Sequence, residues 1–124
     1  VGLLKKENNM RKLLFFTGIL FLISMPVKAN ESPYTITASW YKYGKVTANG
    51  EKFNANVCTA AHKYLPFGTI LRVYNPKTNK SIIVRINDRG PYIKGRQLDV
   101  SLSCAKKLGM VKTGVTELKI QVIS

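Results

Sequence analysis

The sequence carries only six Asp and Glu residues against twenty Lys and Arg. Two of the six, Asp88 and Asp99, fall in one short stretch, "RINDRGPYIKGRQLDVS" (residues 85–101), among Arg85, Arg89, Lys94 and Arg96. A carboxylic acid placed against an oxygen leaving group can protonate it, and the carboxylate left behind can take a proton back. Glu51 follows the Asn49-Gly50 turn, and the only histidine, His62, closes the segment "TAAH". These four side chains could do acid–base chemistry, and each also has a plain structural reading. Asp88 could bond backbone amides in the turn before Gly90-Pro91. Asp99 reads first as the cap of the helix that follows it. Glu51 is by default solvated, and His62 could be a buried hydrogen-bonding group.

The elements that must position these residues are short. "YTITASWYK" (34–42) alternates and is rich in the residue types of strands. "YGKVTANGEKFN" follows, with a turn at Asn49-Gly50. "VCTAAH" is a short segment of small residues. "GTILRVYN" (68–75) and "SIIVRIND" (81–88) are the clearest strands, joined as a hairpin by "PKTNK". In the second, Val84 and Ile86 point to the core, so Arg85 and Asn87 line the other face. "DVSLSCAKKLGM" reads as the one convincing helix, with Asp99 or Ser101 as cap, Leu102, Ala105 and Leu108 on one face, and Gly109 ending it. "TELKIQVIS" closes the chain as a strand. About six strands and one or two short helices in so few residues predict a small β-barrel, because closure removes exposed strand edges.

The first 29 residues read differently. From Met10, Arg11 and Lys12 precede an apolar run from Leu13 to Met25, and Val27-Lys28-Ala29 offers a cleavage site. That order predicts a secretory signal peptide over residues 1–29, with an over-extended start before Met10. The run is shorter than the roughly 20 residues of a membrane span. No Cys follows it, so no lipid attachment is expected, and the destination is the periplasm or the medium. The remaining 95 residues, 30–124, make one small domain. They hold 15 Lys and Arg against 5 Asp and Glu. That excess favours an anionic polymer or membrane surface as partner, and export argues against nucleic acid.

Cys58 and Cys104 lie 46 residues apart. An even count in an exported chain permits a disulfide, which would contribute about 3–4 kcal/mol by closing a long loop. Two buried cysteines that never meet fit the sequence equally. One His and two distant Cys give no zinc spacing, and no cofactor is expected.

Four pieces occur in a set order: "ASWY" (38–41), "TANGEKFNANVCTAAHKYLPFGT" (47–69), "VRINDRGPY" (84–92) and "LDVSLSCAKKLGM" (98–110). In that order and spacing they resemble the double-psi β-barrel domain of the rare lipoprotein A (RlpA) family, from about Ala38 to Val122. The resemblance implies a mainly β fold, a six-stranded double-psi barrel with one or two short helices. It also implies a lytic transglycosylase, a lyase that cuts peptidoglycan glycan strands, with preference for strands stripped of stem peptides. The family's catalytic Asp falls on Asp88, its essential His on His62 and the Glu of its "NGE" turn on Glu51. The family usually has an Asp where this chain has Asn54. A lytic transglycosylase needs one acid that begins protonated. The expectation is therefore that Arg85 and Arg89 point away from Asp88, toward substrate carboxylates. Glu51, Arg85, Arg89, Tyr41, Tyr92 and Asp99 are the expected substrate contacts, with the tyrosines and Trp40 able to stack on sugar rings or to pack inward. The expected state is a monomer acting on peptidoglycan. The competing readings are a non-catalytic, expansin-like wall-binding module and, more remotely, a secreted cationic effector.

Overall fold

The computed structural model describes residues 31–124. The proposed signal peptide and start site lie outside the described residues. Six strands are present: β1 (Tyr34–Tyr41), β2 (Thr59–His62), β3 (Ile70–Asn75), β4 (Lys80–Asp88), β5 (Leu98–Ser101) and β6 (Thr116–Val122). One helix, α1 (Leu102–Leu108), follows β5 directly. The strands close into a barrel in the order β1-β5-β2-β4-β3-β6. β1 pairs parallel with β5, and β2 parallel with β4; the remaining pairs are antiparallel.

Alternation builds the interior. On β3, Leu71 and Val73 are fully buried while Arg72 between them is exposed. Val84 and Ile86 of β4, Leu98 and Val100 of β5, and Leu118 and Ile120 of β6 fill the same core. Burying each such side chain contributes about 1.5–3 kcal/mol. Helix α1 covers the barrel with Cys104, Ala105 and Leu108. It ends at Gly109, whose left-handed φ of 68° suits glycine. A Cβ there would also lie 2.9 Å from Thr78 Cγ2. The carbonyl of Leu108 at the helix C-terminus is satisfied from the β3–β4 hairpin, by Asn75 Nδ2 and Thr78 Oγ1, both at 2.8 Å. Cys58 and Cys104 are joined in a disulfide.

One sequence expectation requires correction. Asp99 does not cap the helix: it sits in strand β5, and the residue before the helix is Ser101, which makes no side-chain cap bond. The segment "VCTAAH" contains a central barrel strand, β2, whose four residues are all buried. Trp40 packs against the core and donates from Nε1 to the Val111 carbonyl at 3.2 Å, which removes it as a sugar platform.

Candidate active site

Register places the acidic residues. Ala61 on β2 is the partner of Asp99 on β5, and Asp99 is in turn the partner of Ser39 on β1. On its other side Ala61 is the partner of Asp88 on β4. Ser39, Asp99, Ala61 and Asp88 thus form one row across four strands, on the face opposite the core residues Ala60, Val100 and Leu98. Asp88 reaches this row only because the β2–β4 register slips between Ala60 and Ala61: Ala60 pairs with Ile86, Ala61 with Asp88, and Asn87 is left over. In a regular strand residue 87 would take the outward position and Asp88 would turn inward; the bulge re-aims it.

Both carboxylates are half-buried. Asp88 is held by three donors: the Tyr41 hydroxyl (3.3 Å), the Ala48 N–H (2.9 Å) and its neighbour's N–H at Arg89 (2.9 Å). Asp99 accepts one side-chain bond, from Ser39 Oγ at 3.1 Å. Burial pushes the Asp99 carboxyl above the usual carboxylate range, the Ser39 bond and Arg96 oppose this, and the charge of Asp88 adds to it. Tyr41 is pushed up by burial and by Asp88, with Asp99 adding, so its hydroxyl stays a proton-bearing donor. Its ring stacks on Phe53, with centroids 4.8 Å apart.

The cations next to Asp88 in sequence are engaged elsewhere. Arg85 grips Glu51 through two bonds, Nη1 to Oε1 at 2.6 Å and Nη2 to Oε2 at 2.8 Å. Arg89 donates to the carbonyls of His62 (3.1 Å) and Leu65 (2.8 Å), and its guanidinium lies 3.9 Å over the Phe67 ring. Neither guanidinium bonds Asp88, as expected. Both are held by protein partners. Glu51 is likewise not a free carboxylate. The Arg85 and Asn49 bonds lower it to about 2, and Asn87 Nδ2 adds a longer contact at 3.3 Å.

His62 belongs to a different setting. Its Nδ1 accepts the N–H groups of Tyr64 (3.2 Å) and Leu65 (3.1 Å), capping the turn after β2. That pattern puts the proton of the neutral ring on Nε2. Burial lowers its affinity for a second proton, and Arg89 and Lys63 add to the effect. His62 pairs with the core residue Leu98, and no hydrogen bond joins it to Asp88 or Asp99. The structure brings together Asp88, Asp99, Tyr41 and Ser39; it joins Glu51 to Arg85; and it leaves His62 at the end of β2, bonded to the turn that follows. Tyr92, 80% exposed, stands just beyond the Gly90-Pro91 turn, free to meet a ligand. Among the described residues no group of His, Cys, Asp and Glu has the arrangement to hold a metal.

Around the Glu51–Arg85 pair lies a polar pocket of about 270 Å³, lined also by Lys52, Asn54, Val57, Thr59 and Asn87. The loop that bounds it is tied to the carboxylate row, because Ala48 bonds Asp88 and the Asn49 N–H bonds the Asn87 carbonyl at 3.2 Å.

A closed six-stranded barrel with two parallel strand pairs and an outward carboxylate row defines the class: a double-psi β-barrel with a polar groove on its wall. The chain belongs to the lytic transglycolase family, whose model it matches over residues 34–120. Among curated relatives it is 49% identical over 89 residues to the "Probable endolytic peptidoglycan transglycosylase RlpA" of Aquifex aeolicus, covering 69% of this chain and 39% of that one. It is 45% identical over 89 residues to the "Endolytic peptidoglycan transglycosylase RlpA" of Campylobacter jejuni, covering 69% and 32%. The chain therefore spans about a third of these relatives' length. Among solved structures it resembles the Streptomyces papain inhibitor (TM-score 0.64, 17% identity, 77% of this chain and 97% of that one). It also resembles the Clavibacter michiganensis expansin (TM-score 0.61, 16% identity, 75% and 51%). At these identities the structural likeness concerns the fold alone.

Proposed function

We propose that this domain is a peptidoglycan lytic transglycosylase, exported to act on glycan strands and leaving 1,6-anhydro-muramic acid ends. The observation that carries the reading is the row in which Asp88 and Asp99 flank Ala61 on one outward face. The family membership and the names of the relatives agree with the reaction class.

Asp99, which burial favours in its protonated form, gives its proton to the glycosidic oxygen as the bond from that oxygen to C1 of the muramic acid breaks. The C6 hydroxyl of the same sugar attacks C1, and its proton passes to Asp88. One proton leaves Asp99 and one arrives on Asp88, no water is consumed, and the ring closes as the 1,6-anhydro product. Tyr41 fixes Asp88 through its hydroxyl. This assignment gives the acid role to Asp99 and the base role to Asp88, in place of a single Asp88 serving as both. His62 acts by holding the 62–65 turn, whose carbonyls at 62 and 65 anchor Arg89. The preference for strands without stem peptides follows from the same reading, as does a monomeric state drawn to an anionic wall by the domain's positive charge.

The test is to incubate the 30–124 domain with purified peptidoglycan and with peptide-free glycan strands, and to identify products by mass spectrometry. Anhydro-muramic ends that disappear in Asp99→Asn are the expected result. A hydrolysed reducing end would overturn the intramolecular attack. Retention on the glycan with no product would leave the expansin-like binding module as the reading.

A further inference from the structure

The row that holds Asp99, Ala61 and Asp88 begins at Ser39 of β1. Ser39 is 5% exposed and is the register partner of Asp99. Its Oγ donates to Asp99 Oδ1 at 3.1 Å and has no other partner among the described residues. A buried hydroxyl proton needs an acceptor, and Asp99 Oδ1 is the one that Ser39 has. An acid proton on Oδ1 would turn this bond round and orphan the hydroxyl proton. Asp99 Oδ2 has no side-chain or backbone partner among the described residues, so it is the oxygen left to carry the acid proton.

The partner is a neutral one in a domain with fifteen Lys and Arg. Among the described residues the one ion pair is Arg85 with Glu51, so no cation is paired with Asp99. The charged or titratable groups that act on Asp99 are Asp88 from β4, across the methyl of Ala61 on β2, Tyr41 from β1, and Arg96 from the segment before β5. A cation bonded to Asp99 would hold it ionised before the reaction. A hydroxyl does less to the acid and more to its product, because a hydrogen bond to a charged acceptor is about twice as strong as one between neutral groups. The hold of Ser39 therefore grows as the proton leaves. Only an interaction that strengthens toward the transition state speeds the chemical step.

We propose that Ser39 is a positioning residue for the acid: its hydroxyl occupies Asp99 Oδ1, leaves the transferable proton on Oδ2, and stabilises the carboxylate as that proton passes to the glycosidic oxygen. Ser39 keeps its own proton throughout, so the balance of the reaction is unchanged. The inference rests on the glycan-cutting reading above and adds the group that orients its acid.

Removing the hydroxyl has two effects that a purely structural residue would not combine. Burial raises the Asp99 carboxyl, the Ser39 bond and Arg96 act against that rise, and the charge of Asp88 adds to it. Without Ser39 Oγ the acid holds its proton to higher pH, yet the carboxylate formed in the reaction has lost its donor. The experiment follows the Asp99 carboxyl carbon by nuclear magnetic resonance in the isotope-labelled 30–124 domain, without glycan. Beside it, anhydro-product release from saturating peptide-free strands is measured across pH. In Ser39→Ala the carboxyl should titrate at higher pH, and the alkaline limb of the rate should move the same way. The maximal rate should nevertheless fall about ten- to a hundredfold, the scale of one hydrogen bond to a charged group. Ser39→Thr, which keeps a hydroxyl, should hold the titration and the limb at their wild-type positions. An unmoved carboxyl or limb in Ser39→Ala, an unchanged maximal rate, or an equal shift in Ser39→Thr would each overturn the role of Ser39. A wild-type domain that releases no anhydro product overturns the glycan-cutting reading itself; one that releases it beside an unaltered Ser39→Ala overturns Ser39 alone.

Discussion

Asp88 and Asp99 have the same register partner, Ala61, so the two carboxylates rise from one face of the barrel with a single methyl group between them. Two strand spacings separate their backbones by roughly 9–10 Å. Ala61 is almost fully buried in this position. The carboxylate pair is therefore set by three strands that contribute one residue each, and the middle one serves by being small.

Asp99 carries a stability cost at neutral pH. Its folded-state value is raised above the unfolded one, so the folded chain binds the proton more readily than the unfolded chain does. By linkage, stability is greatest below the ordinary carboxylate value and falls as pH rises through the raised one. Asp99→Asn should therefore melt at a higher temperature than the wild type at pH 7, and still accept from Ser39. The gain should fade as the pH is lowered toward 4. The same variant should lose anhydro-product formation. Calorimetry at several pH values beside the product assay checks both; a lower melting temperature at pH 7 would contradict the assignment.

Tyr41→Phe removes one of three donors to Asp88 and leaves the ring stacked on Phe53. A single bond of this kind contributes about 1 kcal/mol. The rate of product release from peptide-free strands should fall about five- to tenfold, while the melting temperature falls by about 4–8 °C. A rate equal to wild type would mean that Ala48 and Arg89 alone position Asp88.

Glu51 works with the opposite sign. Its folded value is lowered to about 2 from an ordinary 4.5 by Arg85 and Asn49. The stabilisation is complete above the unfolded value and is lost as pH falls from about 4.5 toward 2. Wild type should show a drop in urea midpoint across that window, and Glu51→Gln should show a smaller one. The group is open to solvent, so added salt should shrink the difference.

Removing the His62 ring leaves two backbone N–H groups without acceptors. His62→Ala should lose about 1–2 kcal/mol of stability by denaturant unfolding. Because burial lowers the folded value of His62, wild type should lose stability as pH falls below about 6.5, and the variant should lose this component. If His62 acts only through the turn, the pH optimum of the residual activity should match wild type; a displaced optimum would give the imidazole a direct part in proton transfer.

Much of this architecture was legible in the chain. The β3–β4 hairpin follows from clean alternation on both sides of "PKTNK", and Gly109 ends the helix where the left-handed turn requires it. The position of Asp99 was not legible, because "LDVS" before a helical stretch carries the signature of a cap, and only pairing with β1 and β2 makes it a strand. Four residues are too few for periodicity to separate the two. The partners of Arg85 and Arg89 were half legible. Their crowding around Asp88 in sequence raised the right question, but Glu51 lies 34 residues from Arg85 and meets it only through the fold. Nothing in the letters "IND" signals a bulge, since the slip depends on what β2 offers opposite.

That bulge has one more consequence. A regular strand shows a ligand every second residue, so neighbouring contacts on it are two peptide units apart. The slip at Asn87 lets two consecutive residues face outward at once, Asn87 into the polar pocket and Asp88 into the carboxylate row. The pocket-lining Asn87 and the carboxylate of Asp88 are then carried one peptide unit apart, about 3.8 Å from Cα to Cα. That interval is a ruler made of covalent bonds, and no loosening of the barrel around it can change its length.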